Sequence, residues 1–203
     1  MTVTYRVGTG LYVNLTNRCP CACTFCIRQN GPGVYGSDPL WLEREPAVDE
    51  VCEAIEKNLG NCTELVFCGY GEPTERLDTL LEVAGRFKKA HPEMPIRVNT
   101  NGLADLIAGE PTAHRFRGLV DTVSISLNAP TAEEYVALCR PKFGAAAHPA
   151  LLKFAEEVKG FVKDVVLTVV GTESLTPEKE ADCRRVAAEH GIPLRVRRFV
   201  SKG

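Results

Sequence analysis

Six short strand-like runs, each separated from the next by helical or loop-rich sequence, constrain the fold more than any other feature of the chain. The runs are Leu11 to Thr16, Leu65 to Cys68, Ile96 to Asn101, Val123 to Asn128, Val165 to Val170 and Leu194 to Phe199. Between them, Val48, Val51, Ile55 and Leu59, and then Leu77, Leu80, Leu81, Ala84 and Phe87, recur with the helical period. Thr131 followed by Glu134 has the form of a capping box, and Thr176-Pro177 that of an N-cap followed by proline at the first helical position. Strands that alternate with helices pair in parallel through right-handed crossovers, so the expectation is an α/β fold.

The two faces of these runs differ. Tyr12, Asn14 and Thr16 oppose Leu11, Val13 and Leu15, and Arg97, Asn99 and Asn101 oppose Ile96 and Val98. Ser124, Ser126 and Asn128 oppose Val123, Ile125 and Leu127, and Arg195 and Arg197 oppose Leu194 and Val196. If helices cover the apolar faces, the polar faces all turn inward. A closed barrel of parallel strands is filled by branched apolar side chains. The pattern therefore predicts a partial (β/α)6 TIM-like barrel, with parallel strands around an open polar lumen that binds a ligand. The alternative, an open sheet with one solvated face, runs against the rule that parallel sheets are covered on both faces.

Length and charge narrow the partners. The 203 residues suit one domain, 1–203, and 24 basic against 26 acidic side chains give no electrostatic reason to expect nucleic acid or an anionic membrane. No apolar stretch approaches the ~20 residues of a membrane helix. The start, Met1 to Gly8, has no apolar signal region, which makes a cytoplasmic location the expectation.

Nine cysteines are many for such a location, and four of them, Cys19, Cys21, Cys23 and Cys26, fall within eight residues. In a reducing compartment a dense group of this kind indicates metal ligation or redox chemistry before disulfides. It follows the first strand run, at the end where α/β folds bind their ligands. Three thiolates spaced Cys19-x3-Cys23-x2-Cys26 can hold three irons of a cubane iron–sulfur cluster, whose usual complement is four cysteines. One iron is then left open to a small molecule. Structural zinc is the competing use, but the group lacks the distant second Cys/His pair usual in zinc folds. Cys21 is a non-ligand in the preferred register. Cys52, Cys62, Cys68, Cys139 and Cys183 read as small buried side chains, with Cys68 and Cys139 the two most worth testing. His91, His114, His148 and His190 share no ligand spacing, and surface or capping roles are expected.

At this point the chain resembles the radical S-adenosylmethionine (SAM) enzymes, whose signature is Cys-x3-Cys-x2-Cys with an aromatic residue, here Phe25, often preceding the last cysteine. Gly69-Tyr70-Gly71-Glu72-Pro73 stands where the family has Gly-Gly-Glu-Pro, with Tyr70 a departure from the second glycine. The resemblance implies that Cys19, Cys23 and Cys26 bind a [4Fe–4S] cluster, and that the segment 69–72 receives the methionine ammonium, with Glu72 supplying the carboxylate. It further implies that Asn99, Asn101, Ser126 and Asn128 approach the ribose and carboxylate, and that Val169 to Glu173 loosely matches the segment lining the adenine. Glu72 could instead serve only to cap the helix opened by Pro73 and Thr74.

A sulfonium that carries an ammonium and a carboxylate also needs a donor for that carboxylate, and Arg97, Arg195 and Arg197 are candidates. Arg195 to Lys202 contain four basic and no acidic side chains, which suits an anionic ligand in the lumen or a solvated tail. The implied partners are SAM, an unidentified substrate, and a reductant such as flavodoxin or ferredoxin. More narrowly, Leu15 to Cys19, Leu40 to Pro46, Asn99 to Leu103 and Ser126 to Pro130 resemble a small TatD-linked radical SAM group. Two alternatives stay open: a small ring-forming enzyme resembling 7-carboxy-7-deazaguanine synthase, and a non-catalytic metal-binding or metal-delivery module.

Overall fold

The computed structural model describes residues 1–34 and 36–199. Its centre is a seven-stranded sheet in the order β1 to β7. The strands are β1 (Thr4–Val7), β2 (Gly10–Val13), β3 (Glu64–Phe67), β4 (Ile96–Thr100), β5 (Thr122–Ser126), β6 (Asp164–Gly171) and β7 (Leu194–Arg198). β1 pairs antiparallel with β2, and every pairing from β2 to β7 is parallel. The parallel part is the expected six-stranded partial barrel. β1 is an addition: its side chains alternate too briefly to mark it, and it is held by a hairpin turning at Gly8, whose φ of +58° suits glycine.

The crossovers carry α1 (Val48–Asn58), α2 (Leu77–Ala90), α3 (Ala104–Ala108), α4 (Ala132–Cys139), α5 (Ala147–Val158) and α6 (Pro177–Glu189). Their apolar sides and the outer faces of the strands form one core, in which Leu11, Val13, Leu65, Phe67, Ile96, Val98, Val123, Ile125, Leu167 and Val169 are buried. Thr131 caps α4 by accepting from the Glu134 N–H at 3.3 Å. The expected reciprocal half of the box is replaced by an ion pair of Glu134 with Lys179 at 3.0 Å.

Asp121 ties the floor of the barrel together. It accepts from the Ile96 N–H at 2.8 Å and pairs with Lys88 at 2.6 Å and Lys163 at 2.8 Å. Burial alone would raise its carboxyl, but the bonds from Lys163, Lys88 and Ile96 hold it down at about 2.

The inner face departs from a uniformly wet lumen. Tyr5, Val34, Leu40 and Tyr70 form a second apolar cluster, against which Val7, Tyr12 and Ile27 pack, so the segment after the cysteines folds over the β1–β2 side. Asn14 and Thr16 serve this cover rather than the lumen. The Asn14 amide donates to the Leu40 carbonyl at 2.7 Å, and the Thr16 hydroxyl donates to Glu45 at 2.7 Å. Arg97 is likewise engaged low in the barrel, with Glu64 at 2.7 Å and the Tyr12 hydroxyl at 3.3 Å, which corrects its assignment as a ligand for a carboxylate at the mouth.

His148 corrects the expectation of a surface or capping role. It is buried, bonds the Ala129 carbonyl at 3.1 Å and packs against Tyr135. Cys52 and Cys68 are half-buried, whereas Cys62, Cys139 and Cys183 are buried as expected. Tyr35 of the loop after the cysteines, and the part of the basic tail from Val200 onward, lie outside the described residues.

Candidate functional site

The C-terminal ends of β2 to β6 converge on the cysteine loop. Two sets of main-chain bonds suspend it. On one side the Glu72 N–H donates to the Arg18 carbonyl at 2.8 Å; on the other, the Ala22 N–H donates to the Cys139 carbonyl at 3.1 Å and the Thr24 N–H to Leu138 at 3.0 Å. Asn17 clamps the base of the loop by bonding both backbone groups of Leu42, at 2.8 and 3.0 Å. The loop is therefore stretched between the β3 end and the C-terminus of α4.

Cys19, Cys23 and Cys26 are half-buried and Cys21 is buried. Contact with Cys21, then burial, raises the Cys19 thiol above its ordinary range, and contact with Cys139, then burial, does the same to Cys23. Such thiols become thiolates only when a strong positive charge, such as bound iron, stands beside them. Among the described residues no three Cys, His, Asp or Glu side chains converge as a single metal ion would need. A cubane takes one anchor per corner and does not require them to meet at a point.

Glu72 is buried at 4% exposure, and four donors surround its carboxylate. Oε1 accepts from the Thr74 N–H at 3.1 Å, the Thr74 hydroxyl at 2.8 Å and the Thr100 hydroxyl at 2.6 Å; Oε2 accepts from the Asn101 N–H at 2.8 Å. The bond from Thr74 makes Glu72 a helix cap. The rest exceeds what a cap needs. Burial raises the carboxyl in spite of these donors, and among the described residues no cation pairs with it. Oε2 keeps an acceptor site to spare. A ligand ammonium would complete this arrangement. Thr100 was not foreseen: it shares the alternation of Ile96 and Val98, which placed it on the core face, and only at the strand end can its hydroxyl reach Glu72.

Glycine at 69 and 71 is required by close approach. A Cβ on Gly69 would lie 2.1 Å from Asn14 Oδ1, and one on Gly71 2.3 Å from the Thr16 carbonyl oxygen. Tyr70, the departure from the double glycine, has its own use: its hydroxyl donates to the Gly31 carbonyl at 2.6 Å and its ring packs edge-on against Trp41. It pins the loop that follows the cysteines.

The other anticipated residues divide into two groups. Asn99 Oδ1 and Asn128 Oδ1 are buried with no hydrogen-bond partner among the described residues, while Asn128 donates its amide to Cys139 Sγ at 3.5 Å. Unpaired buried acceptors are costly and indicate a missing donor. Asn101, by contrast, uses its side chain locally, accepting from the Leu103 N–H at 3.0 Å and donating to Cys21 Sγ at 3.9 Å. Ser126 accepts from Arg197 at 3.3 Å, and Arg195, exposed on the last strand, reaches Ser124 at 3.5 Å.

Phe25 lines a cavity of about 140 Å³ together with Asn128, Leu138, Val170, Thr172 and Leu175. Of the segment 169–173, Val170 and Thr172 reach this cavity and Val169 turns into the core. Leu175 was missed for want of any periodic signal in the loop before α6.

A parallel partial barrel with a cysteine loop, an uncompensated buried carboxylate and a small cavity at its mouth defines a cofactor-dependent enzyme site. The Radical SAM superfamily matches residues 13–186, and the chain belongs to it. It is 28% identical over 142 residues to the GTP 3',8-cyclase of Paenarthrobacter nicotinovorans, covering 68% of this chain and 37% of that protein. To the GTP 3',8-cyclase of Streptomyces coelicolor it is 28% identical over 196 residues, covering 94% and 52%. The chain thus spans about half or less of these curated relatives. Among solved structures, Streptococcus suis SuiB bound to S-adenosylmethionine superposes with a TM-score of 0.65 at 14% identity, covering 94% of this chain and 38% of SuiB. Native anSMEcpe with bound AdoMet gives 0.64 at 16%, covering 94% and 51%. These two show the fold. No helix among the described residues is long and apolar enough to cross a membrane.

Proposed function

We propose that this chain is the core of a radical SAM enzyme, residues 1–203 forming one domain, that acts on a substrate still to be identified. Cys19, Cys23 and Cys26 would anchor the [4Fe–4S] cluster. When bound, the cluster would supply the one electron needed to cleave SAM to methionine and a 5′-deoxyadenosyl radical, the species that would abstract hydrogen from the substrate. The chain's own residues bind and orient. Glu72 receives the ammonium, Gly69 to Gly71 bring backbone alongside it, and Asn99, Ser126 and Asn128 offer polar atoms to the ribose and carboxylate. Arg195 stands at the rim, and the cavity beside Phe25 takes the base. Asn101 acts chiefly through its N–H, which holds Glu72.

The observation that carries this reading is Glu72: a buried carboxylate wrapped by four donors, facing no cation among the described residues, and joined through its own N–H to the cysteine loop. Anaerobic reconstitution tests it. About four irons per chain are expected, with an EPR signal that SAM alters and 5′-deoxyadenosine formed on reduction. Glu72→Ala should keep the iron and lose most SAM affinity; full affinity in that variant returns Glu72 to a helix cap. A zinc protein that leaves SAM intact would instead be the metal-binding module.

Ring formation is the second reading within this activity, favoured by the cyclase relatives. The runs 15–19, 40–46, 99–103 and 126–130 support kinship with the small TatD-linked group. A flavodoxin or ferredoxin is the reductant we expect.

A further inference from the structure

Arg195 and Arg197 stand two residues apart on β7, about 7 Å from each other along the strand. Both lean across β6 toward β5, where Arg195 Nη2 donates to the Ser124 hydroxyl at 3.5 Å and Arg197 Nη2 to the Ser126 hydroxyl at 3.3 Å. The residues of β6 in register with them are Thr168 and Val170, so none of the side chains level with the two arginines on this inner face of β5 and β6 is acidic. Arg97, the third cation of the face, is paired with Glu64 at 2.7 Å, whereas among the described residues no carboxylate lies within ion-pair distance of Arg195. A cleft lined by one sign of charge draws the opposite sign from solution. The Ser124 hydroxyl, having accepted an N–H, still has its own proton to donate. A second sign marks this level of the lumen as a place for a ligand: Ser124 is in register with Asn99, whose buried Oδ1 has no partner among the described residues.

We propose that Arg195 and Ser124, with Arg197 above them, bind a phosphate group carried by the substrate. The proposal deepens the reading of the chain as a radical SAM enzyme and rests on it. Two guanidinium groups and a hydroxyl spread over two levels of the sheet suit a tetrahedral anion with three free oxygens, whereas one bidentate arginine is enough for a carboxylate. Depth separates this site from the carboxylate of SAM. Glu72 is held by the Thr100 hydroxyl and the Asn101 N–H, at the end of β4 and one residue beyond it. Ser124, level with Asn99, lies two residues or about 7 Å lower. The ammonium and carboxylate of SAM share one carbon, so a carboxylate whose ammonium sits on Glu72 stays at the strand ends. β7 is the last strand of the sheet among the described residues and Arg195 is exposed on it, so a substrate can reach this side.

The test titrates inorganic phosphate into the reconstituted holoenzyme by calorimetry, without reductant and at constant ionic strength, first with no SAM and then with SAM saturating. Wild type should bind phosphate in both conditions. Arg195→Gln should bind it about tenfold more weakly, through loss of a charge-assisted bond. Arg198→Gln, an exposed residue that alternates to the other face of β7, should match wild type. Wild-type affinity in Arg195→Gln overturns the site, and so does an equal loss in both variants, which would mark general attraction to a basic strand. Phosphate expelled by saturating SAM would give Arg195 to the cofactor and overturn the proposal, and acetate bound as tightly as phosphate would overturn the choice of a phosphate group. Failure of the function itself shows elsewhere, as a wild-type cluster whose EPR signal ignores SAM.

Discussion

Gly71→Ala adds one carbon where the cysteine loop presses hardest on the segment leading to Glu72. The new Cβ would lie 2.3 Å from the Thr16 carbonyl oxygen and 2.5 Å from that of Arg18, where ordinary contact begins at 3.4 Å. Both obstacles are main chain, so no side-chain rotation relieves them, and the two segments must part by about 1 Å. Overpacking of this kind costs about 1–3 kcal/mol. Parting also breaks the 2.8 Å bond from the Glu72 N–H to Arg18, worth about 1 kcal/mol more. A loss of about 2–4 kcal/mol should lower Tm by roughly 10 °C in a chain of this size.

The functional loss should be larger than the stability loss suggests, because Glu72 and Cys19 would move apart. A misplacement of about 1 Å is worth about 100-fold in rate. SAM-dependent EPR titration, 5′-deoxyadenosine formation and thermal denaturation measure the three effects. Gly85→Ala is the control: within α2 its Cβ would meet, among the described residues, only Leu119 at 3.6 Å, and it should gain about 0.5–1 kcal/mol. Wild-type SAM affinity and Tm in Gly71→Ala would refute the claim that this contact sets the site.

Three further outcomes are expected. Asp121→Asn removes a carboxylate held at about 2 against an ordinary 3.8, a difference worth about 2 kcal/mol. Because the folded value is the lower one, wild type keeps this stability above about pH 4 and loses it as pH falls toward 2, while the variant should show a flatter acid limb in urea titrations. Cys23→Ala should abolish iron uptake, whereas Cys21→Ala should retain a SAM-responsive cluster; equal loss in both would reassign the ligand register. Tyr70→Gly, which restores the family's double glycine, should leave cluster content intact but free the loop at Gly31 and Trp41, read as faster proteolysis of residues 27–42; unchanged protection would deny Tyr70 its anchoring role.

The alternation of polar and apolar residues was enough to place Leu11, Val98 and Ile125 in the core and to imply six parallel strands, because side-chain direction follows from backbone geometry with a period of two. The cysteine spacing and Gly69 to Glu72 marked the site for the same local reason, as short motifs that carry their chemistry within a few residues. Tertiary structure alone decided what each polar group does there. Asn14 and Thr16 show the alternation of lumen residues yet hold the loop at 40–45, and Thr100 shows that of a core residue yet bonds Glu72. Arg97 is spent on Glu64, and the Cys139 carbonyl meets the Ala22 N–H only because α4 ends against the cysteine loop. Local sequence sets which way a side chain points, but what it meets depends on segments far along the chain, brought together by burial of a shared core.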